Sequence, residues 1–195
     1  MFKKSISIFF LILFFIIIFI SLFSIQSQSF TGYTKEYIEN NTFHYNENST
    51  FNWPVFGYYN ISSFFGNRKS PTTGASSYHS GIDIPAPEKT NIYSICNGKV
   101  IFTGFYGADG YTIIVKNNNY EIIYGHVSPN FIVYKNQLIK ENEKIGTVGP
   151  KYIDSPENTK YFDSNGKKTN GATTGTHLHL TIKINGKIVN PLDYL

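Results

Sequence analysis

The sequence predicts an all-β fold, a small antiparallel β-sheet domain preceded by an N-terminal transmembrane helix. Tyr (15) and Phe (17) are abundant among the 195 residues, and with 16 glycines they favour strands and turns over helices. From Trp53 onward, short apolar runs alternate with Gly, Asn and Pro, and helical periodicity is almost absent. A chain of this length accommodates one domain with extensions.

The transmembrane helix is predicted over residues 1–25. Lys3 and Lys4 precede an apolar run from residue 6 to residue 23, and no further charge occurs before Lys35. A run of about 18 apolar residues is long enough to cross a bilayer, whereas the core of a cleaved signal peptide usually has about 7–15. We therefore expect an uncleaved signal-anchor, with the N-terminus in the cytoplasm and the rest of the chain outside. Cleavage would instead give a secreted protein.

Residues 26–52 are polar and rich in Asn, which predicts a linker, and His44 within it is expected to be solvated. The domain itself is assigned to residues 53–195. Its predicted strands are residues 91–96 and 99–105 around an Asn97-Gly98 turn, 111–116 and 120–127 around residues 117–119, 144–148, and 177–184 and 187–189 around an Asn185-Gly186 turn.

A long irregular insert, residues 150–174, leads directly into the strand that begins near His177. Loops of this length in a compact domain are usually functional or disordered. We expect the insert to form a wall or lid beside a functional site. The single cysteine, Cys96, excludes an intrachain disulfide and is expected to be a buried strand residue rather than a nucleophile.

The most informative pattern is His177-Leu178-His179-Leu180. Successive side chains of a strand point to opposite faces, so the two histidines share one face and the two leucines share the other. The apolar face would pack in the core, and the opposite face would present two imidazoles. Such a pair suits one metal ligand and one neighbouring acid/base group.

A second pair of candidates is His79 and Asp83. In a fully extended strand they would lie roughly 13 Å apart, at about 3.3 Å per residue. Two ligands of one zinc ion must each come within about 2.0–2.2 Å of the metal, so the chain has to bend, and Ser80-Gly81 is the expected position.

His126 ends another predicted strand and could point into the same cleft. His79, Asp83 and one of the two strand histidines would make a His/Asp/His set suited to one catalytic Zn²⁺ ion per domain, with an open position for water. No H-E-x-x-H motif supplies a glutamate as general base, so the remaining histidines would carry out proton transfer.

These residues fall within a series of ordered motifs. The motifs are SSFFGNR at 62–68, PTTG at 71–74, HSGIDI at 79–84, YGHV at 124–127, GTHLHL at 175–180 and NPL at 190–192. Over residues 62–195 the chain resembles the lysostaphin-type (LytM-like) zinc endopeptidases, which cut peptidoglycan cross-bridges. The resemblance implies a small antiparallel sheet with a narrow cleft, of the duplicated hybrid motif type.

The resemblance further implies that His79, Asp83 and His179 are the zinc ligands and that His126 and His177 are the catalytic histidines. The expected function is hydrolysis of cross-links or stem peptides of bacterial peptidoglycan by zinc-activated water. One of the two catalytic histidines would deprotonate the water and the other would stabilise the oxyanion, with the assignment left open. The expected location is the bacterial cell membrane, with one membrane span and the catalytic domain outside the cytoplasm.

The alternatives to an endopeptidase are a binding protein, a phospho-carrier and a structural zinc protein. A non-catalytic cell-wall binding or scaffold protein would keep the fold without turnover. A phospho-carrier would use paired histidines, but an extracytoplasmic domain has no access to phosphodonors. A structural zinc site usually includes cysteines, and one cysteine is too few. Nucleic acid is not an expected partner, because the net charge of +4 is dispersed and no basic stripe is interleaved with aromatics.

Overall fold

The computed structural model describes residues 50–72, 74–154, 156–157 and 159–195. The predicted transmembrane helix and His44 lie outside the described residues. Within the described residues the helical segments are two short 3₁₀ turns, Gly107–Asp109 and Pro191–Asp193, and none is long or apolar enough to cross a membrane.

The described residues form eleven strands. They are β1 (Gly66–Asn67), β2 (Tyr78–His79), β3 (Ile82–Pro85), β4 (Asn91–Tyr93), β5 (Gly98–Phe105), β6 (Tyr111–Asn117), β7 (Tyr120–Gly125), β8 (Leu138–Ile139), β9 (Lys144–Thr147), β10 (His177–Ile184) and β11 (Lys187–Val189).

The main sheet has seven strands in the order β11-β10-β7-β6-β5-β8, and β3 also pairs with β10. Every pairing is antiparallel, and two smaller sheets are formed by β1 with β2 and by β4 with β9. The all-β, antiparallel prediction is confirmed for this part of the chain. Strand β10 is central to the site because it pairs with β7 on one side and with β3 and β11 on the other.

Two of the predicted hairpins are present. Strands β10 and β11 are joined by Asn185 and Gly186, with φ values of 50° and 77°. Positive φ at both positions is the requirement of a type I′ turn, which Asn-Gly satisfies readily. The turn between β6 and β7 likewise places Asn118 at a φ of 40°.

The third predicted hairpin, around Asn97-Gly98, is wrong. Strand β4 pairs with β9, and β5 pairs with β6 and β8. Neither Asn97 nor Gly98 is among the residues with positive φ, so no type I′ turn forms. Gly98 has another use: a Cβ there would lie 2.7 Å from Cγ1 of Val115 and 2.8 Å from the carbonyl oxygen of Lys116. The glycine thus allows the close approach of β5 to β6.

The core is formed by the alternating apolar side chains of the central strands. Tyr124 on β7 is fully buried, and its hydroxyl accepts a hydrogen bond from the Ile95 N–H at 3.0 Å. Phe51 also packs on the domain: its N–H donates to the Tyr194 carbonyl at 2.8 Å, and its ring meets Tyr120 edge to face. The other fully buried large side chains are Val55, Ile82, Ile84, Ile92, Ile95, Ile113, Ile122, Ile145, Leu178, Leu180 and Ile182.

Cys96 is buried as predicted, but it lies in the bend before β5 rather than in a strand. The Ser94 hydroxyl donates to the Cys96 carbonyl at 2.7 Å and stabilises this bend. Burial raises the pKa of the Cys96 thiol to about 11, so the thiolate is scarce at neutral pH and the residue is unsuited to be a nucleophile.

Candidate metal centre and catalytic site

The pairing register of β3 and β10 brings two of the predicted site residues together. His179 lies directly opposite Asp83, and its Nδ1 atom is 2.9 Å from Oδ1 of the carboxylate. His177, two residues earlier on the same face, places Nε2 at 3.4 Å from the same oxygen. Leu178 and Leu180 point the other way and are fully buried. The predicted alternation of β10 is therefore confirmed.

His79 reaches the same carboxylate because the chain bends at residues 80–81, between β2 and β3. Its Nε2 atom lies 3.1 Å from Oδ1 of Asp83. The bend requires glycine for a steric reason, since a Cβ on Gly81 would lie 2.1 Å from the carbonyl oxygen of Leu180 on β10. The predicted position of the bend is correct, and Gly81 also allows the bend to pack closely against the backbone of β10.

The hydrogen-bond partners of the two histidines determine where their protons are. Nδ1 of His79 lies 2.9 Å from the carbonyl oxygen of Phe64, which can only accept, so Nδ1 carries the proton and Nε2 has a lone pair. Nε2 of His179 lies 3.0 Å from the hydroxyl of Thr181, which leaves Nδ1 for the cluster. Nε2 of His79 and Nδ1 of His179 are 3.0 Å apart, and both face Oδ1 of Asp83.

Three electron-pair donors therefore converge on one point. All three residues are buried, at 2%, 9% and 5% exposure for His79, Asp83 and His179. A tetrahedral zinc ion with ligand bonds of about 2.1 Å requires its ligand atoms to lie about 3.4 Å apart. The observed separations of 2.9–3.1 Å are close to that value. Two neutral imidazoles and one carboxylate fit zinc in their chemistry as well as in their spacing.

Electrostatics within the cluster keeps the carboxylate ionised. Burial alone would raise the pKa of Asp83, but its close contacts with His177, His179 and His79 outweigh burial and hold the pKa well below its usual range. The guanidinium of Arg68 contacts Oδ2 at 3.3 Å, which leaves Oδ1 to the histidines. Only one oxygen of Asp83, Oδ1, therefore faces the two imidazoles and would be the one to bind a metal ion.

His179 responds in the opposite direction. Burial would lower its pKa, but the hydrogen bond to Asp83 outweighs burial and raises the pKa above the usual value of about 6.5. In the metal-free protein His179 therefore keeps its proton to a higher pH than an ordinary histidine does.

His126 follows directly after β7 and has a φ of 55°, in the left-handed region. Its N–H donates to the Asp109 carbonyl at 2.7 Å, and its own carbonyl accepts from the Gly149 N–H at 2.9 Å. Its Nδ1 lies 2.6 Å from the carbonyl oxygen of Asn170, so Nδ1 carries the proton and Nε2 is free. Burial, followed by the charges of His177 and His179, lowers its pKa well below the usual value.

The fifth predicted residue, His177, lies beside His126, with ring centroids 4.6 Å apart and the planes nearly perpendicular. Its Nδ1 donates to the Gly175 carbonyl at 3.0 Å, and Nε2 points towards Asp83. Both histidines thus carry their proton on Nδ1. The structure brings all five predicted residues into one site.

The insert of residues 150–174 packs beside this site. Isolated bridges join Tyr152 to Thr169 and Phe162 to Lys168, and the residues that follow return to the core. Asn170 is 0% exposed and contacts His126, yet the sequence did not single it out. Its signal was an Asn-Gly pair just before the His177–Ile184 strand, a pattern that by itself indicates only a turn.

Comparisons with known proteins agree with this site. The sequence model of Peptidase family M23 matches residues 77–191, a range that contains all five residues. DD-carboxypeptidase/endopeptidase Mpg of Neisseria meningitidis is 31% identical over 148 residues, which cover 75% of this chain and 30% of the relative. Murein hydrolase activator NlpD of Escherichia coli is 30% identical over 150 residues, which cover 75% and 31%. The chain thus spans about a third of the length of these relatives.

Solved structures agree as well. A zinc-containing peptidase from Vibrio cholerae is 29% identical with a TM-score of 0.57, over 73% of this chain and 39% of the other. The catalytic domain of lysostaphin from Staphylococcus simulans has a TM-score of 0.55 at 20% identity, over 70% and 91%, and shows the fold alone. On the family match and the identity to these relatives, the chain belongs to Peptidase family M23.

Proposed function

We propose that this protein is a zinc-dependent endopeptidase that hydrolyses peptide bonds in the cross-links or stem peptides of bacterial peptidoglycan. The observation that carries the proposal is the convergence of three electron-pair donors on one point, with two further imidazoles beside them. A structural zinc site would close the fourth position with another protein ligand. Here the side chain of His177 lies beside the three donors, and its Nε2 atom is directed at the carboxylate, 3.4 Å from Oδ1 of Asp83.

Nε2 of His79, Oδ1 of Asp83 and Nδ1 of His179 would hold the metal. When bound, zinc supplies Lewis acidity, which lowers the pKa of water towards about 7 and polarises a carbonyl group. Phe64 and Thr181 fix the two imidazole rings through the nitrogens that face away from the cluster. Such outer hydrogen bonds orient the ligands before the metal arrives.

His126 and His177 would handle the protons of the reaction. A neutral imidazole with a free Nε2 accepts a proton from an attacking water, and an imidazole that carries that proton donates it to a developing oxyanion or a leaving amine. Burial keeps His126 neutral at pH 7, which suits it to accept. His177 lies closer to Asp83, with Nε2 at 3.4 Å from Oδ1, and is proposed as the donor.

Peptidoglycan is the proposed substrate because relatives that are 30% identical to this chain over the aligned part carry names that refer to it, Peptidoglycan DD-endopeptidase ShyB of Vibrio cholerae and murein hydrolase activator NlpD. We further propose that the apolar N-terminal segment anchors the chain in the membrane, with the domain outside the cytoplasm where peptidoglycan lies. The two lysines before that segment support this orientation.

A non-catalytic cell-wall protein of the same fold is the second candidate, and the similarity to the activator NlpD favours it. In that case the domain would bind cell-wall material or a hydrolase without cleaving. The complete set of five site residues favours the endopeptidase, because a binding protein needs neither the metal ligands nor the two additional imidazoles.

One experiment separates the two candidates. The purified full-length chain, loaded with one equivalent of zinc, is incubated with purified peptidoglycan, and free amines are measured over time. An endopeptidase releases amines with zinc and releases none after chelation. A zinc-loaded chain that binds peptidoglycan and releases no amines would support the non-catalytic candidate.

A further inference from the structure

We propose that Asn170 is a positioning residue that holds His126 in its working orientation. The inference rests on the proposed function, in which His126 transfers a proton. Asn170 lies at the end of the 150–174 insert, outside the histidine motifs and outside the metal cluster. It touches neither the metal ligands nor the open position, and it would act only through His126.

The main chain of Asn170 binds the imidazole directly. Its carbonyl oxygen accepts the Nδ1 proton of His126 at 2.6 Å, which leaves Nε2 with its lone pair. A backbone carbonyl can only accept, so this contact selects one tautomer of the ring. The N–H of Asn170 donates to the Lys151 carbonyl at 2.9 Å. This second hydrogen bond ties the backbone of Asn170 to the start of the insert.

The side chain of Asn170 fixes where that carbonyl lies. Its Oδ1 accepts from the Tyr111 N–H at 2.8 Å, and its Nδ2 donates to the Val127 carbonyl at 3.0 Å. Tyr111 begins β6, and Val127 is the residue after His126. One amide group thus joins the insert to the start of β6 and to the residue that follows the histidine.

Only asparagine fits this arrangement among residues of its size. The bridge needs one acceptor and one donor on the same planar group, which aspartate cannot supply because an ionised carboxylate only accepts. Two glycines make room for it. A Cβ on Gly110 would lie 2.3 Å from the Asn170 carbonyl oxygen, and a Cβ on Gly149 would lie 2.8 Å from Nδ2.

His126 needs this support because its own backbone is in an unfavourable region. A φ of 55° is sparsely populated for residues other than glycine, and it persists only where the surroundings enforce it. Asp109 and Gly149 hold the backbone of His126, and Asn170 holds its ring. Without the amide bridge, the main-chain carbonyl that fixes the tautomer and orientation of the ring would no longer be held in place.

Two variants test the inference in the full-length protein. Asn170→Asp is isosteric and replaces the donor to Val127 by a negatively charged acceptor, and Asn170→Ala removes the whole bridge. Thr169→Val is the matched control, since Thr169 is the adjacent buried residue of the insert and its hydroxyl donates to the Gly171 carbonyl at 2.7 Å without contact to His126. Zinc content and thermal unfolding are measured for all three.

The first readout is nitrogen-15 NMR of the imidazoles in metal-free protein, with the His126 signals assigned by their loss in His126→Ala. We expect a slowly exchanging Nδ1 proton in the parent and in Thr169→Val, and its loss in both Asn170 variants. This readout does not depend on activity, so it tests the positioning role even if the protein proves not to be a peptidase.

The second readout is peptide hydrolysis at full zinc occupancy. We expect kcat to fall about 10- to 100-fold in both Asn170 variants, the range seen when an outer residue that orients a functional group is removed, with KM changed less than about 2-fold. A folded Asn170→Asp protein that keeps both the Nδ1 signal and kcat would overturn the inference. An equal loss of kcat in Thr169→Val would also overturn it, because general loosening of the insert would then explain the effect.

Discussion

His179 and Asp83 face each other across the antiparallel β3–β10 pair, with Nδ1 of the histidine 2.9 Å from Oδ1 of the aspartate. The pairing register sets this contact, because a shift of one strand by one residue would turn its side chain to the opposite face of the sheet, away from its partner. The same register places His177 within 3.4 Å of that oxygen. The pairing of β3 with β10 therefore brings Asp83, His177 and His179 together.

Replacing Asp83 by Asn tests the metal centre. The amide keeps the shape of the side chain but removes the negative charge that would bind the zinc ion. We expect zinc affinity to fall by more than about 100-fold, because changes to residues outside the ligand set typically cost about 10- to 100-fold. Competition with a chromogenic chelator measures this affinity. Asp163→Asn is the control, because that carboxylate lies in the insert and accepts hydrogen bonds from Asn165 and Lys167. Parent-like zinc affinity in Asp83→Asn would exclude Asp83 as a ligand.

Replacing His177 by Ala separates chemistry from metal binding. His177 is not one of the three converging donors, so the variant should keep one zinc ion per chain. Loss of an acid/base group typically costs about 10²- to 10⁴-fold in rate, and we expect kcat to fall in that range. Metal analysis and a peptide-hydrolysis assay on the same sample measure both quantities. If zinc were lost together with activity, His177 would be a ligand instead.

The pH dependence of zinc binding follows from the raised pKa of His179. In the metal-free protein this residue keeps its proton to a higher pH than an ordinary histidine, and zinc has to displace that proton. Asp83 stays ionised throughout, because its pKa is well below the usual range. As the pH is lowered, zinc affinity should therefore begin to weaken before the pH reaches about 6.5, the usual pKa of histidine. Chelator competition between about pH 5.5 and 8.5 measures the curve, and a flat curve down to about pH 6 would contradict the shift.

Gly81→Ala tests the bend that delivers His79. The added Cβ would meet the Leu180 carbonyl oxygen at 2.1 Å, so β3 and β10 would have to move apart. We expect the free energy of unfolding to fall by about 1–3 kcal/mol, the usual cost of overpacking, together with weaker zinc binding. Gly175→Ala is the matched control, since no atom lies within 4 Å of its Cβ position. Equal stability of the two variants would show that the bend adapts.

The sequence was sufficient to predict features that depend on local alternation. Strict period-two spacing in His177-Leu178-His179-Leu180 determines which side chains share a face, and the bend at residues 80–81 follows from the distance that two ligands of one ion allow. The Asn185-Gly186 turn is likewise local, because Asn and Gly tolerate the positive φ that a two-residue hairpin needs.

Features that depend on long-range pairing were not predictable in the same way. Asn97-Gly98 has the same two residues as the β10–β11 turn, but contacts with Val115 and Lys116 determine its conformation, and β4 pairs with β9. Asn170 was missed for a similar reason, since its partners Tyr111, His126 and Val127 lie far from it in sequence.

The most direct test of the endopeptidase proposal is a digest of a defined cross-linked muropeptide dimer with the full-length, zinc-loaded chain, followed by mass spectrometry. The account predicts two products whose masses sum to that of the dimer plus one water. It also predicts no product after chelation, and recovery of cleavage when zinc is restored. A dimer that remains intact in the presence of a folded chain with one bound zinc ion would contradict the account.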